Sequence, residues 1–284
     1  MNISSVLGQL AVADPTIAFI GGGNMASALI GGLLKSGHPA THIQIVEPFA
    51  EQRSRLAGQF NIQAKESASV VLASADVLVW AVKPQTFGQA AAEVRPFLRT
   101  DALHLSVAAG IRSESIAQWL GTGRIIRAMP NTPALIGQGM TALFACPGTT
   151  PADRQITETL LQSTGQWLWL DAESQLDAVT AISGSGPAYV FYFLEAMEQA
   201  GVQLGLSAAQ AHQLAVQTFG GASALAAASS ESPATLRAQV TSKGGTTYAA
   251  ISAMQTGNVA EAFIAAMHAA NRRAGEMGEE FGVG

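Results

Sequence analysis

The stretch "TIAFIGGGNMASALIGGLLK", residues 16–35, constrains this chain more than any other. Thr16 to Ile20 is a short apolar run that halts at three glycines. A helical period then carries Asn24 to Lys35 and stops at Gly37. Strand, turn and helix follow in that order. Gly21, Gly23 and Ala26 fit the spacing G-x-G-x-x-A. In that pattern the first glycine makes a tight turn, the second lets backbone approach a pyrophosphate, and the third small residue lets helix pack on strand. The helix start supplies unpaired N–H groups and the positive end of a dipole. An acid, Glu47, stands about 20 residues further on, where a ribose hydroxyl would meet it. Gly21, Gly22, Gly23, Asn24, Met25 and Ala26 therefore read as a dinucleotide site, the alternative being a structural turn between strand and helix.

More short apolar runs follow: "IQIV" (Ile43 to Val46), "VLVWAV" (Val77 to Val82) and "LHLSV" (Leu103 to Val107). Helical patterns at Glu51 to Phe60 and Ser113 to Leu120 separate them. Alternation of this kind predicts a parallel sheet with crossover helices, its strands buried on both faces. Strand signals weaken through "MTALFA" and "WLWL" and end at Asp171. From about Glu173 the chain reads as helix. Pro187 opens a long one, Ser207 and Gln210 form a capping box, Ser232-Pro233 is a cap with a first-turn proline, and Gly257-Asn258 is a stop and restart. The predicted organisation is an α/β Rossmann-type parallel-sheet domain over residues 1–171, followed by an all-helical domain over 172–284. Small residues such as "FGGASALAAASS" allow close helix approach, in a core or in a subunit interface.

The balance of residues excludes several classes. Of 284 residues, 48% are hydrophobic and 12% charged, so the chain can bury a sizeable core. Net charge is -5 with no Lys/Arg block, which argues against nucleic acid. Cys146 is the single cysteine and has no spaced Cys/His companions, so neither an internal disulfide nor a metal site is expected, and a cytoplasmic location is. No run reaches the length a membrane span needs, and the leader "MNISSVLGQLAVADP" lacks a signal peptide's basic start. A soluble protein is expected.

Candidate chemistry lies at strand ends, where ligands of parallel sheets bind. "AVKPQ" (Ala81 to Gln85) closes a strand counted as the fourth, and "VAAG" (Val107 to Gly110) one counted as the fifth. Lys83 is a general acid, a phosphate contact or a solvated loop residue. Glu47 would repel a 2'-phosphate, whereas Arg53 and Arg55 could reach one or form a solvated helix face, so both NADH and NADPH stay open. "TSKGGTTYAA" (241–250) sets two glycines at a helix start, which is an anion site or an ordinary glycine-rich start.

"FIGGGNMASALIGGL", "AVKPQ", "SVAAGI", "RAMPNTPA", "AISGSGPAYVF" and "TSKGGTT" occur in the order and approximate spacing of pyrroline-5-carboxylate reductase. The chain resembles that family from Ile17 to its last helix. The resemblance implies reduction of Δ1-pyrroline-5-carboxylate to L-proline by NADPH or NADH, the last step of proline biosynthesis. It implies that the helical domain forms a homodimer, that dimers can assemble into a decamer, and that a second subunit completes the substrate pocket. By the same resemblance Gly21 to Ala26, with Ala81, Val82, Lys83 and Pro84, look like coenzyme contacts, and Ala108, Ala109 and Gly110 lie beside the nicotinamide. Ser242, Gly245 and Thr246 look like the cradle of the substrate carboxylate, and Thr247 like the hydroxyl near the imine nitrogen. Tyr189 and the turn Gly184 to Pro187 look like residues that shape the pocket, or else belong to interior packing.

Where the family usually has Ser-Pro-Gly-Gly, this chain has Ser242-Lys243-Gly244-Gly245. Its leader is also longer than many members carry. Two other readings compete. A β-hydroxyacid dehydrogenase or imine reductase would carry G-x-x-G-x-x-x-K on the first long helix, but Val190 stands four residues after Gly186. A non-catalytic dinucleotide sensor would leave the second glycine loop without a purpose.

Overall fold

The computed structural model describes residues 14–282. Of the leader, residues 1–13 lie outside the described residues. Contacts divide the chain into two compact units, one running to Gly184 and resuming at Asn271, the other spanning Ser185–Ala270.

The first unit holds β1 (Ile17–Ile20), α1 (Asn24–Lys35), β2 (Ile43–Val46), α2 (Ala50–Phe60), β3 (Val77–Trp80), α3 (Phe87–Val94), β4 (Leu103–Ser106), α4 (Ser113–Leu120), β5 (Ile125–Met129), β6 (Gly139–Ala145), α5 (Pro151–Leu161), β7 (Gly165–Trp169) and α6 (Gln175–Val179). The seven strands form one sheet in the order β2-β1-β3-β4-β5-β6-β7. Strands β1 to β5 are parallel, as their apolar runs and intervening helices require. Among the described residues the strands before Ala81 and Val107 are the third and fourth, which corrects the count made from sequence. Past β2, among the described residues, only an isolated bridge joins Val46 to Lys65.

The sheet is not parallel throughout. β6 runs antiparallel to β5, with Ile126 opposite Ala145 and Met129 opposite Ala142. The connection, residues 130–138, is too short for a crossover helix and can only return the chain antiparallel. β7 follows β6 in parallel after the α5 crossover.

Every residue of β1, β3 and β4 is buried. One face packs Phe19, Leu29, Ile30, Leu33, Leu56 and Leu160. The other packs Trp80, Phe87, Ile111, Ile116 and Leu120, where Phe87 stacks between Trp80 and Trp119 at ring distances of 5.0 and 5.5 Å.

That second face also buries His104, whose Nδ1 accepts from the Trp80 indole at 3.1 Å. The indole can only donate, so the ring is neutral with its proton on Nε2. Burial, assisted by the Arg124 charge, pulls its pKa down to about 4. A folded-state pKa below the unfolded value means that the unfolded chain takes up the proton first. Stability is therefore full above about pH 6.5, falls as pH drops toward 4, and loses about 3 kcal/mol from this ring over that window. His38 is also held low by burial. Urea midpoints at pH 7.5 and 4.5 are expected to converge substantially in His104→Gln relative to the parent; an undiminished pH dependence would acquit His104.

The second unit holds α7 (Gly186–Gln203), α8 (Ala208–Ala228), α9 (Pro233–Gln239), α10 (Thr246–Thr256) and the first half of α11 (Val259–Glu280). The sequence punctuation is realised. Pro187 lies in the first turn of α7, Ser207 and Gln210 form the capping box of α8, and the Ser232 side chain accepts from the Thr235 N–H to start α9. Asn258 takes φ of 51° at the break before α11. α7 and α8 approach so closely that a Cβ on Gly201 would come within 2.8 Å of the Ala211 Cβ. Small residues serve that approach. Yet α7 and α10 contain no buried residue, and α8 only Ala211 and Ala215. No helix among the described residues is long and apolar enough to cross a membrane, and no group of His, Cys, Asp or Glu there could hold a metal ion.

Candidate active site

In the order β2-β1-β3 the chain leaves β1 toward one edge and returns on its other side, so β1 and β3 flank a switch point. Crevices at switch points, outside the carboxyl ends of the strands, are where doubly wound sheets bind ligands. Gly21 follows β1 and Ala81 follows β3, so both expected coenzyme segments meet there. The Ala81 N–H donates to the Ile20 carbonyl at 2.8 Å and the Gly21 N–H to the Val46 carbonyl at 2.8 Å. Gly21 takes φ of 92°, and a Cβ on it would lie 2.7 Å from the Ala81 carbonyl oxygen. Only glycine fits that turn. A Cβ on Gly23, by contrast, would meet nothing within 4 Å.

The helix that follows is built to accept an anion. Gly23 is the N-cap of α1 and supplies no side-chain bond, and no acidic residue sits in the first turn. The N–H groups of Asn24, Met25 and Ala26 find no acceptor among the described residues, the first closing bond being Ser27 N–H to Gly23 carbonyl at 2.9 Å. Three free donors beside an open cradle suit a pyrophosphate, so the residues present fit a bound dinucleotide.

Glu47 follows β2 directly, as the spacing predicts, but its carboxylate faces the protein. Oε2 accepts from the Gly22 N–H at 2.8 Å and Oε1 from the Phe49 N–H at 2.9 Å, with only 5% of the residue exposed. It ties the glycine turn to the end of β2. Gln52 adds a bond from its amide to the Gly22 carbonyl. Arg53 is engaged with the Glu47 and Pro48 carbonyls and with Glu66. Arg55 is exposed and reaches Asn24 Oδ1 at 3.2 Å.

Val82, Lys83 and Pro84 lead from Ala81 into a short 3-10 turn, and Lys83 is exposed with its carbonyl accepting from Thr86. Ala108, Ala109 and Gly110 follow β4. Gly110 takes φ of 73°, and a Cβ there would lie 2.8 Å from the Met277 Cβ. In the "RAMPNTPA" segment Asn131 accepts from the Met140 N–H at 2.9 Å and donates to Ser183, a clamp between two loops.

Sequence reasoning missed an ionic group beside this loop. Glu173 accepts from the Ser113 N–H, the Ser113 hydroxyl and the Arg127 guanidinium, each at 2.6 Å. Burial pushes its carboxyl up, but the Ser113 bonds and the Arg127 charge outweigh burial and hold it below the ordinary range. Arg112 pairs with Asp177 through two bonds of 3.2 and 2.7 Å. The signal was present: an arginine inside the apolar run "IIRAM" needs a buried partner.

In the second unit, Ser242, Lys243, Gly244 and Gly245 form a turn closed by the Gly245 N–H to the Ser242 carbonyl at 3.0 Å. Gly244 takes φ of 76°, and Lys243 is not among the residues of positive φ. Positive φ at the third position alone defines a type II turn. Gly245 then caps α10 without a side-chain bond. Its own N–H is spent in the turn, so the free donors are those of Thr246, Thr247 and Tyr248, which find no acceptor among the described residues.

Comparison with known proteins agrees along most of the chain. A family model described as pyrroline-5-carboxylate reductase dimerisation matches residues 173–277, and one described as NADP oxidoreductase coenzyme F420-dependent matches residues 16–110. The pyrroline-5-carboxylate reductase of Pseudomonas aeruginosa is 46% identical over 272 residues, covering 95% of this chain and 100% of that protein. That of Escherichia coli is 39% identical over 256 residues, covering 89% and 95%. Among solved structures, a pyrroline-5-carboxylate reductase from Coxiella burnetii superposes with a TM-score of 0.85 at 36% identity over 93% of this chain and 99% of that one. The Plasmodium falciparum pyrroline carboxylate reductase with NADP bound gives 0.84 at 27% identity, over 93% and 98%.

Proposed function

We infer the roles of the site residues from one premise: this chain belongs to the pyrroline-5-carboxylate reductase family and reduces Δ1-pyrroline-5-carboxylate to L-proline with NAD(P)H, the last step of proline biosynthesis. The observation that carries the assignment is a pair of helix N-termini, α1 and α10, each capped by glycine and each with three N–H groups free of protein acceptors.

On this reading Gly21 to Ala26 hold the pyrophosphate, Ala81 to Pro84 line the crevice beside it, and Ala108 to Gly110 border the nicotinamide. Glu47 contributes by fixing the glycine turn. Ser242, Gly245, Thr246 and Thr247 form the substrate loop, with the backbone donors of Thr246 and Thr247 facing the carboxylate and Gly245 shaping the turn that aims them. When bound, the coenzyme supplies a hydride to C5 of the protonated imine, whose π pair passes to nitrogen. The Thr247 hydroxyl orients that nitrogen and is too weak an acid to do more. The protein's contribution is positioning, an effect that reaches about 7–11 kcal/mol in favourable cases. Coenzyme oxidation followed with and without pyrroline-5-carboxylate tests the activity, and turnover independent of the imine would refute it.

The functional boundary is proposed at residues 171/172, supported by the family match that starts at 173. The helical domain mediates oligomerisation. A homodimer, able to assemble further into a decamer, is proposed because α7, α8 and α11 leave Phe191, Tyr192, Leu225 and Phe263 exposed on a unit with little interior of its own. A solution mass of a single chain would refute it. A cytoplasmic location completes the proposal, supported by the lone, buried Cys146.

Lys243 occupies the second position of a type II turn, the place where proline is preferred. Its N–H has no acceptor among the described residues, so proline removes no bond. Lys243→Pro is expected to add about 0.4–1 kcal/mol, or about 1–3 °C in Tm. The exposed ammonium is worth about 0–1 kcal/mol to an anion, so KM for the imine should stay within about threefold and depend less on salt. Melting curves and KM against ionic strength check this. Loss of substrate binding at every salt concentration would make Lys243 a direct ligand.

A further inference from the structure

The loop from Val107 to Ser113 has little backbone to hold it. After the Val107 N–H, which donates to the Trp80 carbonyl at 3.1 Å, and a long contact of 3.4 Å from the Ala108 N–H to the Ser106 hydroxyl, the N–H groups of Ala109, Gly110, Ile111 and Arg112 find no acceptor among the described residues. What fixes the loop is side chains from afar. The C-terminal turns of α11 lie against it, with Met277 at Gly110 and Gly278 placed so that a Cβ would come within 2.8 Å of Arg112 Nε. Asp177 grips Arg112. Glu173, distant in sequence, receives the first N–H of α4 and the hydroxyl of the same Ser113. Arg112, the N-cap of α4, makes no side-chain cap bond, so Glu173 supplies the acceptor and the negative charge that a helix start favours.

We propose that Glu173 is a positioning residue for hydride transfer, setting the loop that presents Ala108 to Gly110 by capping α4 and anchoring to the buried Arg127 of β5. The inference rests on the reading that those three residues border the nicotinamide. Arg127 is 4% exposed, its Nε has no partner among the described residues, and its position in β5 gives Glu173 a fixed post. The carboxylate accepts from the Ser113 N–H and Arg127 through Oε1 and from the Ser113 hydroxyl through Oε2; an amide there reverses the bond to the hydroxyl and removes the negative charge that Arg127 and the start of α4 favour.

Glu173→Gln in the oligomeric enzyme tests this. Amide exchange over residues 107–116 of the coenzyme-free protein is expected to accelerate, with kcat lowered about fivefold, NADPH Kd within about twofold, and the primary isotope effect from NADPH deuterated at the transferred position increased. Ser113→Ala should show the same pattern to a smaller degree if Glu173→Gln folds poorly, and Ser113→Thr should restore it. Unchanged amide exchange would overturn the anchoring itself. Faster exchange with unchanged kcat and isotope effect would also overturn the proposal, and would place the fault in the nicotinamide assignment. A lowered melting temperature with wild-type kinetics per folded site would reduce Glu173 to a structural role.

Discussion

Glu47→Ala is expected to raise the Kd of NADPH and of NADH together by about tenfold or more, leaving their ratio within about threefold. Both carboxylate oxygens of Glu47 are occupied by backbone donors, Gly22 and Phe49. A bond from a neutral donor to a charged acceptor contributes about 1.5–3 kcal/mol, and a buried donor left without its acceptor costs about 1–3 kcal/mol. Tenfold in affinity is about 1.4 kcal/mol, well inside that range. The turn that loses its tie is the one proposed to hold the pyrophosphate, so on that proposal the loss falls on the part common to both coenzymes. Glu47→Gln keeps one acceptor and should fall between. Fluorescence titration with each coenzyme decides it. A ratio moved more than about tenfold toward NADPH, with NADH affinity intact, would show that Glu47 acts on the 2'-position after all.

That expectation reverses the one drawn from sequence, and the reason is physical. Spacing places an acid after the second strand of a dinucleotide fold, but it cannot say which way the side chain turns. Here a bulky Leu56 sits where a Cβ on Gly22 would come within 2.5 Å, and the glycine turn lies near enough for its N–H to capture the carboxylate.

Elements that depend on local chemistry were legible. The range Asn24 to Lys35, the cap at Ser207 and the break at Asn258 follow from periodicity and punctuation, and the structure repeats them. Features that depend on the return path of the chain were not. The antiparallel β6 carries the same apolar alternation as a parallel strand would, and only the short link before it determines its direction. The candidate site divides in the same way. Glycine positions were readable because a positive φ favours glycine, as at Gly21 and Gly244. The acceptor of the Ser113 N–H was not, because Glu173 lies 60 residues away and reaches it only through the fold. The segment "TSKGGTT" marks a turn at a helix start, but not which N–H groups that turn leaves free: Gly245 turns its N–H inward, and among the described residues Thr246, Thr247 and Tyr248 find no acceptor for theirs.

Thr247 is where the proposed chemistry is most exposed to refutation. It lies in the first turn of α10, half-buried, one residue past the Thr246 that follows the glycine cap. Thr247→Val keeps the branched shape and deletes the hydroxyl. The change removes one hydrogen bond to a charged iminium, worth about 1.5–3 kcal/mol, so kcat/KM for the imine should fall about 10- to 100-fold. NADPH affinity should stay within about twofold, since the donors proposed for the coenzyme belong to α1. A threonine in a first helical turn contributes little that valine cannot, so the melting temperature should move by no more than about 2 °C. Thr247→Ser, which restores the hydroxyl without the methyl, should recover most of the activity. The pH profile adds a separate check, because a hydroxyl that only accepts from the iminium N–H leaves the protonation of free imine unchanged. The apparent pKa of kcat/KM should therefore be the same in Thr247→Val and the parent, while its plateau drops. A valine variant with parental kcat/KM would remove Thr247 from the site; a shifted pKa with an unchanged plateau would instead make the hydroxyl a proton donor, against the positioning role assigned to it.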